Sequence, residues 1–396
     1  MSAFVMNLPC DVQTIIAMLE ARGHRANVVG GAVRDSLIRH ELGDFDITTD
    51  ATPDEIKKTF ATFKTVDTGI KHGTVTVLLD HIPYEITTYR IDGDYKDNRH
   101  PESVTFTRSL EEDLKRRDFT INAMAYNPNE GLTDLFDGVD DARRGLVRAV
   151  GDPSVRFDED ALRILRALRF ASVLGFDIEE HTALAVREKA ELLSGVSSER
   201  IYQELKKLFL GKRASVILRE FSDVLSLCLG GVRVSDYPTD EEIFAASFAT
   251  RFALVFLLNS DTPAESACSA LEFLKADNLT RYAIKNALLA YERVDLNDKC
   301  ALLHSLADIG PDAISGALSL GTVTGRFTKA DKELFDSVMA SDPVYAVAHL
   351  KIDGHKLAAL GYKGREIGET LGYLLNAVID GKCENEERGL LDYLKK

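Results

Sequence analysis

Apolar residues recur at helical and strand spacings in an order that divides the chain in two. Residues 11–22 carry Val12, Ile15, Ile16 and Leu19 on one helical face. Ala26–Val29 reads as a short apolar strand ending in Gly30-Gly31, and residues 33–39 read as a helix with Arg34 in its first turn. Residues 44–49 alternate as a strand does, and residues 53–60 predict a helix with Thr52 as N-cap. Two β-rich runs, 74–79 and 84–90, are separated by residues 80–83 and predict a hairpin. Residues 104–107 and 120–126 complete a mixed first domain. From about Ser154 the periodicity is helical, clearest over residues 158–174, 181–193, 198–209 and 213–227. Residues 221–396 continue this pattern without low complexity or an obvious repeat. The expected class is α+β, a small mixed α/β head followed by a long all-α body.

At 396 residues the chain is too long for one core, and two to four domains are expected. Hydrophobic residues make up 45% and charged residues 28%, which is ordinary for a soluble globular protein. No apolar run approaches the roughly 20 residues that span a bilayer, and residues 1–11 lack the basic-then-apolar plan of a signal peptide. Five scattered cysteines form no CxxC pair, so neither a disulfide framework nor a zinc site is expected, and a reducing cytoplasm fits. The net charge of −15 weighs against a nucleic-acid partner. It is spread along the chain: residues 221–396 hold 26 acids against 18 bases, and residues 1–220 hold 37 against 30. Global charge therefore locates no RNA surface.

Asp44-Phe45-Asp46 sets two acids at i and i+2, which a strand would present on one face with Phe45 opposite. Taken alone, a solvated edge accounts for such a pair more often than a metal site does. A divalent cation such as Mg²⁺ would relieve their repulsion, because it takes oxygen ligands and shares substrate phosphates. The neighbours favour that reading. Gly30-Gly31 lets backbone approach a ligand, and the helix that follows presents N–H groups to phosphate. Glu85 lies in a later strand that could pair beside residues 44–49. Three carboxylates and a phosphate grip suit two-metal phosphoryl transfer.

Farther on, Arg156-Phe157-Asp158-Glu159-Asp160-Ala161-Leu162-Arg163 opens a helix with Ala161, Ile164, Leu165 and Leu168 on one face. Asp160, Arg163, Arg166 and Arg169 spread over the other half, as on any amphipathic helix with a solvated face. Their basic surplus in an acidic protein also suits a phosphate or base ligand. An ionised Asp only accepts hydrogen bonds and Arg only donates. Asp160 with Arg163 can thus pair with the edge of cytosine or adenine, whereas guanine and uracil present the wrong pattern.

Gly30-Gly31-Ala32-Val33-Arg34-Asp35, Asp44-Phe45-Asp46 and the Glu85 strand together resemble the head of class II nucleotidyltransferases of the polymerase β superfamily. The resemblance is to the bacterial CCA-adding and poly(A) polymerase family, in particular the CCA tRNA nucleotidyltransferases. Arg116-Arg117-Asp118-Phe119-Thr120-Ile121-Asn122-Ala123 is similar to the family's second motif and implies a nucleotide contact for Arg117. Residues 156–170 resemble its base-selecting helix, in which the Asp160–Arg163 pair acts as a protein template. Arg166 and Arg169 are then assigned to the nucleotide, and Arg156 and Glu159 to support. Ser198-Glu199-Arg200-Ile201 with Glu204-Leu205 resembles the last neck motif, a scaffold, and residues 352–368 resemble the tail that docks on tRNA.

The resemblance implies a nucleotidyltransferase head at 1–150, an all-α neck at 151–220, a body at 221–300 and a tail at 301–396. It implies catalytic Asp44, Asp46 and Glu85, with Mg²⁺ on Asp44 and Asp46. Gly30, Gly31, Arg34, Arg117, Asp160, Arg163, Arg166 and Arg169 are the nucleotide-binding set. Residues 90–101 match a mobile loop that CC-adding relatives lack, so full CCA addition to tRNA from CTP and ATP is expected. A-adding enzymes, poly(A) polymerases and an inactive tRNA-binding protein are the alternatives, and monomer and homodimer stay open. None of the nine histidines precedes an Asp, so the metal phosphohydrolase domain of some relatives is not expected.

Overall fold

Short buried strands, paired mostly antiparallel, organise the front of the chain. The structure is a computed structural model and describes residues 4–40, 43–67, 69–93 and 104–395. Contacts divide it into one unit over Met1–Gly231 and another over Val232–Lys396. Of the expected mobile loop at 90–101, positions 94 onward lie outside the described residues.

The first unit opens with α1 (Cys10–Glu20), whose Val12, Ile15, Ile16 and Leu19 are buried as the spacing requires. Strands β1 (Ala26–Val29), β2 (Asp46–Thr49), β3 (Lys64–Val66), β4 (Thr74–Leu79) and β5 (Ile82–Thr88) follow, with α2 (Gly31–Leu37) and α3 (Pro53–Thr59) between them. Strands β6 (Arg90–Asp92) and β7 (Val104–Phe106) pair with each other, and β8 (Met124–Asn127) and β9 (Gly131–Asp134) return to the main sheet. Its order is β3-β4-β5-β2-β1-β8-β9. Thr52 caps α3 in a reciprocal capping box with Glu55. The β4–β5 hairpin turns on Asp80 and His81, both at positive φ, as a two-residue turn demands.

Register decides what meets at the sheet's end. Antiparallel β1 and β2 pair Val29 with Asp46, so the close of β1 meets the start of β2. Parallel β2 and β5 pair Ile47 with Ile86, and one residue earlier stand Asp46 and Glu85. The pairing of the Glu85 strand with β2 is as expected. Strand β2 begins only at Asp46, so Asp44 and Phe45 lead into it, and Phe45 packs on the core.

Helices α4 (Leu110–Lys115), α5 (Gly138–Arg144), α6 (Pro153–Glu159), α7 (Leu162–Leu174), α8 (Glu180–Glu188), α9 (Ser198–Phe209), α10 (Ala214–Glu220) and α11 (Ser222–Ser226) complete this unit. Three expectations require correction. The single helix over 158–174 is two, because Asp160 is extended (φ −138°, ψ 102°) and its carboxylate accepts the Leu162 N–H at 3.1 Å. A short acid competing for backbone in this way breaks helices. Helix 213–227 likewise divides at Phe221, and 190–195 is a 3₁₀ turn following α8. Residues 120–122 form a 3₁₀ turn ahead of β8, tied by Asp118 accepting from Phe119 N–H at 2.8 Å and by the Thr120 hydroxyl donating to Asp141 at 2.7 Å.

The second unit is helical in its described residues: α12 (Phe248–Asn259), α13 (Pro263–Phe273), α14 (Asn278–Arg293), α15 (Lys299–Ile309), α16 (Pro311–Thr324), α17 (Lys329–Ala340), α18 (Gly354–Ala359), α19 (Arg365–Ile379) and α20 (Glu387–Tyr393). Leu302, Leu306, Ile314, Leu357, Leu374 and Leu390 lie in its core. Gly316 lets α16 approach α14 closely, since a Cβ there would stand 2.6 Å from that of Ala287.

In the first unit, α5 begins so near the 120–122 turn that a Cβ on Gly138 would sit 2.3 Å from the Thr120 carbonyl oxygen. Gly138→Ala is therefore expected to destabilise the protein by about 1–3 kcal/mol. Urea denaturation checks this, and an unchanged midpoint would show that the turn yields without cost.

Candidate active site

The end of the sheet gathers acids around one cation. Asp46 opens onto solvent, yet the protein mass around it raises its carboxyl above the ordinary range. Arg117 opposes that rise, and the nearby Glu85 and Asp44 carboxylates add to it. The structure thus brings Asp44, Asp46, Glu85 and Arg117 into one electrostatic neighbourhood. All the acidic donors are oxygens, and their mutual repulsion is the kind that a hard divalent cation relieves. One oxygen from each of the three acids does not converge within 4.8 Å among the described residues. Two carboxylates completed by phosphate and water therefore fit a hard ion better than an all-protein cage.

Arg117 is aimed over the glycines. Its Nη1 lies 3.3 Å from where a Cβ of Gly30 would be, and Gly30 holds φ at 73°, a conformation that favours glycine. Its buried Nε has no protein partner. The anchor behind it is Asp113, fully buried in α4, which had not been expected from the sequence. Asp113 accepts from Arg116 Nη2 at 2.7 Å, from Arg117 Nη2 at 3.4 Å and from the Thr48 hydroxyl at 3.3 Å. Burial alone would raise its carboxyl, but Arg116 and Arg117 outweigh it and hold it below the usual range. The i+3 and i+4 spacing to the two arginines was the available signal.

A second group of cations surrounds Phe170 on α7. The guanidinium carbons of Arg169, Arg34 and Arg166 lie 3.8, 5.2 and 5.3 Å from the ring centroid. Each is also held by an acid. Arg34 donates to Asp35 at 2.8 and 3.0 Å and to Asn122 Oδ1 at 2.6 Å. Arg166 makes a close ion pair with Asp118, Arg166 Nε donating at 2.8 Å, and Arg169 Nε donates to Glu204 at 2.5 Å. These side chains do not form the solvated face that amphipathic spacing alone suggests. Asn122 Nδ2 donates to Asp118 at 3.1 Å and joins Arg34 to the Arg166 pair. Asp118 is buried, which by itself would raise its pKa, yet Arg166 and Asn122 hold its carboxyl well below the carboxylate range.

Asp160 and Arg163 both engage protein. Asp160 accepts from Arg200 Nη2 at 3.1 and 3.3 Å. Arg163 is buried, with Nη1 donating to Glu159 at 2.6 Å and to the Arg156 carbonyl at 3.1 Å, and Nη2 donating to the Arg116 carbonyl at 3.0 Å. Arg163 keeps its Nε–H and one Nη2 proton, and Asp160 Oδ2 keeps a second lone pair beside the one taken by Arg200. Arg200 Nη1 is buried without a partner. Arg200 thus joins the site as the residue that braces Asp160.

Three family models match: the Poly A polymerase head domain over residues 26–148, a probable RNA and SrmB-binding site of polymerase A over 175–223, and a putative tRNA nucleotidyltransferase domain 2 over 248–394. The CCA-adding enzyme of Lactobacillus delbrueckii subsp. bulgaricus is 37% identical, with 96% of each chain covered. That of Limosilactobacillus fermentum is 38% identical over 98% of this chain and 97% of its own. The chain belongs to the CCA-adding enzyme family. The crystal structure of the Bacillus stearothermophilus CCA-adding enzyme in complex with CTP superposes with a TM-score of 0.78 at 32% identity, covering 98% of both chains. The head model spans Gly30 to Arg117, whereas residues 160–169 fall between two matched segments. Family membership thus rests on near full-length similarity.

The Asp118–Arg166 pair has a pH signature. The folded carboxyl is held below its unfolded value of about 3.9, so the unfolded chain binds more protons in between and stability rises with pH there. The contribution is complete above the unfolded value and is lost as pH falls toward the folded one. Asp118→Asn is expected to cost about 1–3 kcal/mol at pH 7, because it leaves the half-buried Arg166 without its counter-ion. Urea unfolding should show the gap to wild type narrowing between pH 5 and pH 3, and a constant gap would remove Asp118 as its source.

Proposed function

We propose that this chain adds C, C and A in steps to the 3′ end of tRNA, taking CTP and ATP, releasing pyrophosphate and using Mg²⁺ in the cytoplasm. The observation that carries this reading is the register that sets Asp46 beside Glu85 at the close of β1, under Gly30 and Arg117. Membership of the CCA-adding family supports the choice of tRNA and of the two nucleotides. Among the described residues no helix is long and apolar enough to cross a membrane.

Asp44 and Asp46 would hold Mg²⁺, which when bound neutralises triphosphate charge and eases ionisation of the attacking hydroxyl. Glu85, the carboxylate next to Asp46, would accept the proton of the tRNA 3′-hydroxyl. That oxygen attacks the α-phosphorus; one P–O bond forms, the α–β bridging bond breaks, and pyrophosphate leaves. The open backbone at Gly30 and Gly31 admits the triphosphate, and Arg117, whose Nη1 lies against Gly30, supplies a donor to it. Arg34, Arg166 and Arg169 raise the local positive potential behind the nucleotide. Asp160 accepts the exocyclic amino group of cytosine or adenine while Arg163 donates to the adjacent ring nitrogen. The protein partners of both side chains fix where that edge is read. The head at 1–150 thus does chemistry, the neck at 151–220 selects the base, and body and tail at 221–300 and 301–396 engage tRNA.

Incubation of tRNA lacking CCA with labelled CTP and ATP is expected to yield complete CCA ends. Products that stop at CC, that require a CC start, or that grow into long A tails would overturn full CCA addition. Asp44→Ala should retain tRNA binding while incorporation falls by on the order of a thousandfold or more, as when a charge-stabilising group is lost from a transition state. Retained incorporation would take Asp44 out of the metal site.

A further inference from the structure

Three metal-ligating side chains meet in the second unit, far in sequence from the head. Cys300 and His304 sit four residues apart on one face of α15, and Asp380 caps the C-terminal end of α19. His304 Nε2 lies 2.8 Å from Asp380 Oδ1. Cys300 Sγ lies 3.8 Å from the same oxygen and 3.7 Å from the Ile379 carbonyl. The sulfur, nitrogen and oxygen all fall within 4.8 Å of one another, the single such trio among the described residues. Lys382 Nζ occupies the other carboxylate oxygen at 2.7 Å and so leaves Oδ1 turned toward the thiol and the imidazole.

We propose that Cys300 Sγ, His304 Nε2 and Asp380 Oδ1 bind one zinc-type divalent cation, with water in the fourth position. A mixed S, N, O donor set suits Zn²⁺ and disfavours Mg²⁺, which takes oxygen ligands. Bond lengths of about 2.3 Å to sulfur and about 2.0–2.2 Å to nitrogen and oxygen place tetrahedral ligand atoms roughly 3.3–3.6 Å apart. The sulfur–oxygen separation is already near that. The nitrogen–oxygen hydrogen bond must open by about half an ångström, a small side-chain rotation for groups in contact with solvent. On binding, the thiol releases its proton to solvent and the imidazole carries its remaining proton on Nδ1, so the ligands are thiolate, neutral ring and carboxylate. The Lys382 charge opposes the ion, and the nearby Asp298 carboxylate favours it. The ion would fasten the start of α15 to the end of α19, the helices that bring Leu302, Leu306, Leu374 and Leu375 to the shared core. It is separate in donor chemistry from the all-oxygen site of the head.

The test is a Co²⁺ titration of the reduced full-length protein in excess Mg²⁺, followed by Zn²⁺ competition. Wild type is expected to develop a thiolate-to-cobalt charge-transfer band with one-to-one stoichiometry, and Zn²⁺ should abolish it. Cys300→Ser should lose the band, and His304→Gln should weaken Co²⁺ binding at least about tenfold. Zn²⁺ should raise the unfolding temperature of wild type but of neither variant. Absence of the band in wild type would reduce the cluster to a hydrogen-bonded His–Asp pair beside a thiol. A band undiminished in Cys300→Ser, or unchanged affinity in His304→Gln, would equally overturn the site. Circular dichroism of both variants keeps misfolding apart from ligand loss.

Discussion

The ion pair of buried Asp118 with half-buried Arg166 ties the sheet to α7. Asp118 leads into the 3₁₀ turn ahead of β8, and Arg166 stands on α7, so the pair joins two elements that carry residues proposed to face the nucleotide. Taking such charges out of water costs more than their attraction alone returns unless other hydrogen bonds complete them. Here those bonds exist. Asn122 and the Phe119 N–H satisfy Asp118, and the Phe170 ring lies against Arg166. Removing Arg166 would leave the buried Asp118 carboxylate without its strongest partner. Arg34 is held through Asn122 as well, so its guanidinium orientation follows from the same arrangement.

This network also explains how a chain of net charge −15 can present positive potential where a triphosphate would come. The arginines round Phe170 each have an acid behind them, and Arg117 and Arg116 share Asp113. An acid that anchors an arginine cancels its charge at a distance but not at its exposed edge. The total therefore says little about the local field. The same acids keep long, flexible side chains in one rotamer, which lowers the entropy lost when a ligand is gripped.

Much of the sheet was legible because strand register transmits alternation faithfully. The spacing of Asp44 and Asp46, the glycines after Val29 and the placement of Glu85 in a later strand were enough to anticipate their meeting. The hydrophobic face of α7 was legible for the same reason. What hid from view were contacts that periodicity does not encode. Asp113 looked like one more acid in Glu111-Glu112-Asp113, and only its full burial reveals it as the base of the arginine pair. The break at Asp160 depends on one side-chain hydrogen bond to Leu162, which competes with a helical pattern on both sides. Cys300 and Asp380 lie 80 residues apart, so their juxtaposition rests on how α15 and α19 pack, and no local motif announces it.

That break at Asp160 has a physical use. A residue inside a continuous helix has its side chain swept back along the axis toward the N-terminus. An extended residue between two helices escapes that constraint, and Asp160 is turned so that one guanidinium, Arg200, braces it while Oδ2 keeps one lone pair. Arg163, the second residue of the next helix, is fixed from the other side by Glu159 and two carbonyls. An acceptor and a donor are thereby held by separate supports on a shared frame. Discrimination between bases needs such rigidity. In the base-selecting role proposed above, a side chain free to swing by roughly an ångström or two would let guanine or uracil be met by rearrangement, and the hydrogen-bond pattern could not exclude them.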